Sequence, residues 1–276
     1  MSYDWFDFCK PPTHKRYRPV LTAVENNKGV LDVDTVKGCA AGTAAYPNGG
    51  CYGACYANKI ANTYGFDFSV SVSRKLYSRN LYGIFQTIKA HRAGWYRIGT
   101  HGDPSHDWGN TVSVCERLSE TGKTPVIVTK HWIEASNEQL TRLASVGAVF
   151  NTSTSGMDTD AELGFRVEQI DRVRSFGMTS VCRVVSCEYG NTEWADRCRG
   201  KQGRLMALVP MIDTPFRVSR NHHRVATGEI LITAQKESIG GGSKMVSLND
   251  KKAYLGKCSE CPDQCGATTT NSRGKK

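Results

Sequence analysis

The sequence predicts an α/β protein: a partial (β/α)6-type parallel barrel with an N-terminal lead-in and a small C-terminal cysteine-rich extension. Three observations predict it. Short β-rich runs alternate with helix-spaced segments between residues 94 and 211, the cadence of parallel β/α units. Three of the helical segments close with a glycine, Gly122, Gly147 and Gly177, just before the next run, where a helix C-terminus and its loop to a strand take one. The runs end in polar residues, among them Asp103, Lys130, Ser153 and Arg183. A strand set that only filled a core would not gather these at one edge, whereas the carboxyl ends of barrel strands are where chemistry collects.

In chain order, residues 1–37 are polar and aromatic, with a Pro-Pro pair and the turn material "VENNKG", and read as a lead-in that packs on the main domain. Residues 38–215 form that domain. Its strands are expected at "GWYRIGT" (94–100), "PVIVTKH" (125–131), "AVFNTST" (148–154), "TSVCRVV" (179–185) and "RLMALVPM" (204–211). Helices are expected between them over "GNTVSVCERLSETG", "ASNEQLTRLASVG" and "DAELGFRVEQIDRVRSFG", each with apolar residues at helical spacing. Residues 216–276 form the extension: a Gly/Ser stretch, "SIGGGSKM", then "KCSECPDQCG", then the polar tail "ATTTNSRGKK", whose composition predicts disorder. There is no solenoid-type repeat.

A chain of 276 residues suits one large domain with appendages. No stretch reaches the roughly 20 apolar residues of a membrane span, and the N-terminus lacks the basic-then-apolar layout of a signal peptide. The expectation is a cytoplasmic protein with no membrane partner. Eleven cysteines in such a chain favour metal ligation over a disulfide framework. The net charge of +10, with clusters at "HKRYR", "RVSRNHHR" and "SRGKK", fits a polyanionic partner such as nucleic acid, or a solvated basic surface.

The stretch "GCAAGTAAYPNGGCYGACYANK" (38–59) holds Cys39, Cys51 and Cys55 among glycines and small residues with little apolar material to bury. Three thiolates on a Gly-rich loop suit an iron–sulfur cubane with one iron left open, whereas structural zinc takes four protein ligands. A zinc or buried-thiol cluster completed by Cys9 or Cys115 is the plainer alternative. Cys258, Cys261 and Cys265 form a second thiol-dense motif. It reads as an auxiliary iron–sulfur cluster or structural zinc, completed by Cys187, Cys198 or Cys9. Cys115 and Cys182 lie in apolar patterns and read as ordinary buried cysteines.

The order of these motifs resembles the radical S-adenosylmethionine superfamily from about Gly38 to Met211, with "GC…CYGACYAN" similar to its cluster loop as found in the spore photoproduct lyase branch. "GDPS" (102–105) resembles its Gly-Glu motif, "VIVTKHW" its Thr-Lys strand end, "NTSTSGMD" its Ser strand and "TSVCRVV" its Arg strand. Three features depart from the usual pattern: the cysteine gaps of eleven and three residues, Ala54 where an aromatic residue precedes the last cysteine, and Asp103 in place of Glu. The resemblance implies a [4Fe–4S] cluster on Cys39, Cys51 and Cys55. It also implies S-adenosylmethionine held by Gly102, Asp103, Lys130, Ser153 and Arg183, with Tyr52 and Tyr56 supplying the ring, and Lys130 serving catalysis as well. The implied reaction is reductive cleavage of S-adenosylmethionine to a 5′-deoxyadenosyl radical, fed by a flavodoxin- or ferredoxin-type donor. Its substrate is nucleic acid or, alternatively, a peptide or protein. A reading of a different class is a non-catalytic, metal-stabilised nucleic-acid-binding protein.

Overall fold

The computed structural model describes residues 21–26, 29–44, 51–52, 55, 63, 74–75, 81–154, 158–184, 216–218, 243–247 and 252–256. It is an α/β fold on a mostly parallel sheet. The strands are β1 (Val24–Glu25), β2 (Leu31–Asp32), β3 (Val36–Lys37), β4 (Arg74–Lys75), β5 (Trp95–Ile98), β6 (Thr124–Thr129), β7 (Val149–Thr154), β8 (Thr179–Val184), β9 (Phe216–Val218), β10 (Ser243–Ser247) and β11 (Lys252–Gly256). The main sheet runs β1-β2-β5-β6-β7-β8-β9-β10-β11, and β3 pairs with β4 apart from it. From β2 to β9 every pairing is parallel, giving six parallel strands, with antiparallel β1 and β10-β11 at the flanks.

The helices are α1 (Ala40–Thr43), α2 (Leu81–Ala90), α3 (Trp108–Leu118), α4 (Asn137–Ser145) and α5 (Asp160–Ser175). Helix α4 starts at a capping box of Ser136 and Gln139, and α5 at one of Thr159 and Glu162. In each, the two side chains satisfy amides that the helix end leaves open. Gly122, Gly147 and Gly177 follow α3, α4 and α5 with φ of 70, 67 and 78°, the left-handed conformation that stops a helix and that glycine adopts without a Cβ penalty. Apolar residues of α3 and α4 (Trp108, Val112, Cys115, Leu118, Leu140, Leu143) share one core with Tyr96, Ile98, Ile127 and Phe150. The in-register set Ile98, Ile127 and Phe150 marks the helix-covered face of the sheet.

Four expected strands and two expected helices thus appear within two residues of their sequence positions, and the third, α3, gives way at Leu118 to a 3-10 turn, Ser119–Thr121, before Gly122. The fifth expected strand, 204–211, lies outside the described residues. The sequence boundaries at 37 and 215 do not divide the sheet, because β2 comes from the lead-in and β9, β10 and β11 from the extension. Two-residue strands such as β2 carry no readable periodicity; partners across the ladder define them. Among the described residues no helix is long and apolar enough to cross a membrane.

Candidate functional site

Parallel strands place all their carboxyl ends on one edge. The loops after β2, β5 and β6 meet there, and backbone pairing joins the first two. Gly38 bridges Gly102, Gly38 N donates to the His101 carbonyl at 3.0 Å, and Asp103 N approaches the Gly38 carbonyl at 3.4 Å. Only glycine fits at 102: a Cβ there would collide with the Val36 carbonyl oxygen. Gly102 therefore serves as a point of close backbone approach, which carries the cysteine segment onto the loop after β5.

Asp34 secures the same loop from below. Its carboxylate accepts from the amides of Gly99, Thr100 and His101 and pairs with Lys37 Nζ at 3.3 Å. Burial alone would raise its pKa, but the His101 side chain, the Lys37 charge and the Thr100 amide outweigh it and hold the group at about 2.

Asp103 ties this loop to β6. It is 5% exposed. Its Oδ2 accepts from Lys130 N and His131 N, both at 2.8 Å, and its Oδ1 from Thr129 Oγ1 at 2.6 Å and Ser105 N at 3.0 Å. Against the penalty of burial, the His131 ring and these donors keep its pKa below the usual carboxylate value. With its lone pairs engaged by its own chain, Asp103 acts here as a clamp. Ser105 Oγ lies 2.6 Å from the His131 carbonyl oxygen and closes the clamp from the other side.

The cysteines gather in front of this clamp. Cys39 caps α1, with Gly42 N donating to its sulfur at 3.3 Å. Cys51 Sγ lies 3.2 Å from His131 Nε2. A Cβ added to Gly42 would sit 3.0 Å from Cys39 Sγ, 3.4 Å from Cys51 Sγ and 3.4 Å from His131 Nε2. Two thiols and an imidazole therefore face one small space that exists because residue 42 has no side chain. Burial pushes the Cys39 thiol well above its ordinary range, and the charges of Asp103, Cys51 and Cys55 push further, so Cys55 belongs to the same neighbourhood. Coordination to a cation would remove the proton that burial otherwise keeps on the Cys39 thiol. No group of three or more His, Cys, Asp or Glu side chains among the described residues is drawn tightly enough to hold a metal ion as placed.

The expected row at the strand ends is present in the backbone. Thr129 of β6 is in register with Thr152 of β7, so Lys130 follows beside Ser153, and Ser153 pairs with Arg183 of β8. Ser153 is buried; for Arg183 only the backbone is described. Lys130 Nζ pairs with Asp158 Oδ1 at 3.0 Å, Arg166 Nη1 pairs with the other oxygen of Asp158, and Arg166 Nε donates to the Lys130 carbonyl at 2.7 Å. Asp158 and Arg166 are nearly fully buried, so the Lys130 ammonium belongs to a neutralising network that fastens α5 to the end of β6.

Tyr52 is buried, and its carbonyl accepts from Cys55 N at 3.0 Å. Cys115 is fully buried, with burial first among the causes that raise its thiol to about 12, as an ordinary core cysteine requires. The expectations for Tyr56, Cys9, Cys187, Cys198, Cys258, Cys261 and Cys265 lie outside the described residues, and so does the Cys182 side chain. Sequence reasoning passed over His131, Asp158 and Arg166. His131 stood in the polar strand end "TKHW" and could have been weighed there; Arg166 sits inside a helix and shows nothing locally. Comparison with protein-family models, with curated proteins and with solved structures finds no match to this chain.

Proposed function

We propose that the chain is an iron–sulfur enzyme of the radical S-adenosylmethionine type. The observation that carries this reading is the convergence of Cys39 Sγ and Cys51 Sγ on the face of Gly42, on a segment that the Gly38–Gly102 bridge joins to the carboxyl edge of the parallel strands. Cys39, Cys51 and Cys55 would hold a [4Fe–4S] cluster, leaving one iron for S-adenosylmethionine. When bound, the cluster supplies the electron that cleaves the sulfonium and yields a 5′-deoxyadenosyl radical.

The finer fold in this proposal is a partial (β/α)6-type barrel. Two observations support it. The six parallel strands follow one another in chain order without a reversal, so right-handed crossovers carry every helix to the same face. The other face bears polar residues that are nonetheless buried, Asn151 and Ser153 of β7, and the half-buried Asp32–Arg97 pair at 2.9 Å. A curled sheet buries such a face around a ligand.

The chain's own residues prepare the site. Asp103 fixes the backbone of Lys130 and His131, Gly102 brings the cysteine segment against the sheet, and the Lys130–Asp158–Arg166 network closes the β6 side. Ser153 and Arg183, paired in register, are the positions assigned to the cofactor's polar groups. The substrate we assign is nucleic acid, supported by the net charge of +10, which favours a polyanion.

Anaerobic reconstitution with iron and sulfide, followed by an assay for 5′-deoxyadenosine, tests the proposal. The expected result is a brown protein that bleaches with dithionite and cleaves S-adenosylmethionine, with cleavage abolished by Ala at Cys39, Cys51 or Cys55. A wild-type protein that binds zinc tightly and forms no iron–sulfur chromophore would refute it.

A further inference from the structure

We propose that His131 sets the reduction potential of the three-cysteine centre by donating its Nε2–H to the sulfur of Cys51. The inference rests on the iron–sulfur reading above and extends it to a residue outside the cysteine motif. The contact is 3.2 Å, inside the range for a hydrogen bond to sulfur. A metal-bound thiolate carries no proton, so the proton between these two atoms belongs to the imidazole.

The ring is presented from a backbone held on both sides. His131 N donates to Asp103 Oδ2 at 2.8 Å, and the His131 carbonyl oxygen lies 2.6 Å from Ser105 Oγ. The next residue, Trp132, stacks on Phe150 with ring centroids 5.2 Å apart and donates from Nε1 to Thr152 Oγ1 at 3.2 Å. Trp108 packs on the same pair and donates from its own Nε1 to the Ile133 carbonyl at 2.6 Å. Anchors of this kind go beyond what a surface turn requires. They fix a donor toward one sulfur.

The electrostatic consequence has a definite sign. Reduction adds one electron to the centre, with no bond made or broken in the protein, and a hydrogen bond to a ligating sulfur stabilises the added negative charge. Asp103, whose Oδ2 accepts from the His131 amide at 2.8 Å, sets a carboxylate behind the same residue and acts in the opposite direction. His131 offsets that carboxylate and keeps the centre reducible by a low-potential donor.

The test is a dithionite titration of the reconstituted protein with redox mediators, followed by electron paramagnetic resonance, on wild type, His131→Ala and His131→Gln. The second variant retains bulk and an N–H donor, which keeps the test decisive if His131→Ala folds poorly. His131→Ala is expected to bind wild-type iron while reduction becomes about tenfold less favourable, a potential lower by about 59 mV for a one-electron couple. His131→Gln should fall between the two. Histidine labelled with nitrogen-15 should show only the weak coupling of a hydrogen-bonded nitrogen. An unmoved potential in a fully loaded His131→Ala overturns the inference and leaves the iron–sulfur reading standing. So does strong nitrogen coupling with loss of iron, which would make His131 a fourth ligand. Absence of any chromophore in wild type overturns both.

Discussion

Replacing Asp103 by Asn removes a charge from the clamp without changing its shape. One carboxylate oxygen becomes an NH2 group. If that group faces β6, the amides of Lys130 and His131, each 2.8 Å from Oδ2, point at a donor. If it faces the other way, Thr129 Oγ1 and Ser105 N lose their acceptor. Either orientation leaves two buried donors unsatisfied, at about 1–3 kcal/mol each, for a loss of about 2–6 kcal/mol. Domains of this kind hold about 5–15 kcal/mol in all, so the variant should fold but unfold at distinctly lower urea, with the slope of the transition unchanged. Tryptophan fluorescence follows the transition, since Trp108 and Trp132 pack directly behind the clamp. Hydrogen exchange should quicken at the amides of residues 130 and 131 before it quickens in α3 or α4. A stability loss below about 0.5 kcal/mol, with both amides still protected, would refute the clamp; surface substitutions stay within that range.

Three further outcomes are expected. Gly42→Ala should abolish iron uptake, because its Cβ meets Cys39, Cys51 and His131; stability should change by no more than about 1 kcal/mol, the propensity gain of Ala over Gly in a helix, and iron analysis beside a thermal melt checks both. Asp34, held at about 2 in the folded state against 3.8 ordinarily, should contribute on the order of 2 kcal/mol that is fully present above pH 3.8 and lost as pH falls through about 2. The difference between wild type and Asp34→Asn in urea unfolding should therefore shrink across that window; a difference independent of pH would show that the carboxylate is not ionised in the fold. Cys115, buried and raised to about 12, should resist iodoacetamide in the native protein while the half-buried Cys51 and Cys55 of the metal-free protein react, as mass spectrometry of the digest would show.

The sequence by itself determined the elements whose causes are local. Helical spacing and a terminal glycine are properties of a dozen neighbouring residues; α4 and α5 stop two residues before Gly147 and Gly177, and Gly122 closes the 3-10 turn Ser119–Thr121 that continues α3. The runs of β5 to β8 were legible for the same reason, and so was the polar row of Lys130, Ser153 and Arg183, since strand ends that carry chemistry break an apolar pattern visibly. Three cysteines in a Gly-rich loop stood out before any contact was known. Other features were decided only by tertiary structure. Strand β2 exists through its pairing with β5, and β9 to β11 extend the sheet from a region whose local pattern had faded. Asp103 became a clamp because the Thr129 hydroxyl and the amides of Lys130 and His131 arrive at its oxygens from the end of another strand, an event that no spacing rule encodes. Arg166, in the middle of a helix, reads as a surface cation until the fold buries it against Asp158. His131 meets Cys51 across 80 residues of chain. Such contacts depend on the relative placement of loops, and that placement is set by packing over the whole sheet, whereas local propensity reaches only along the chain.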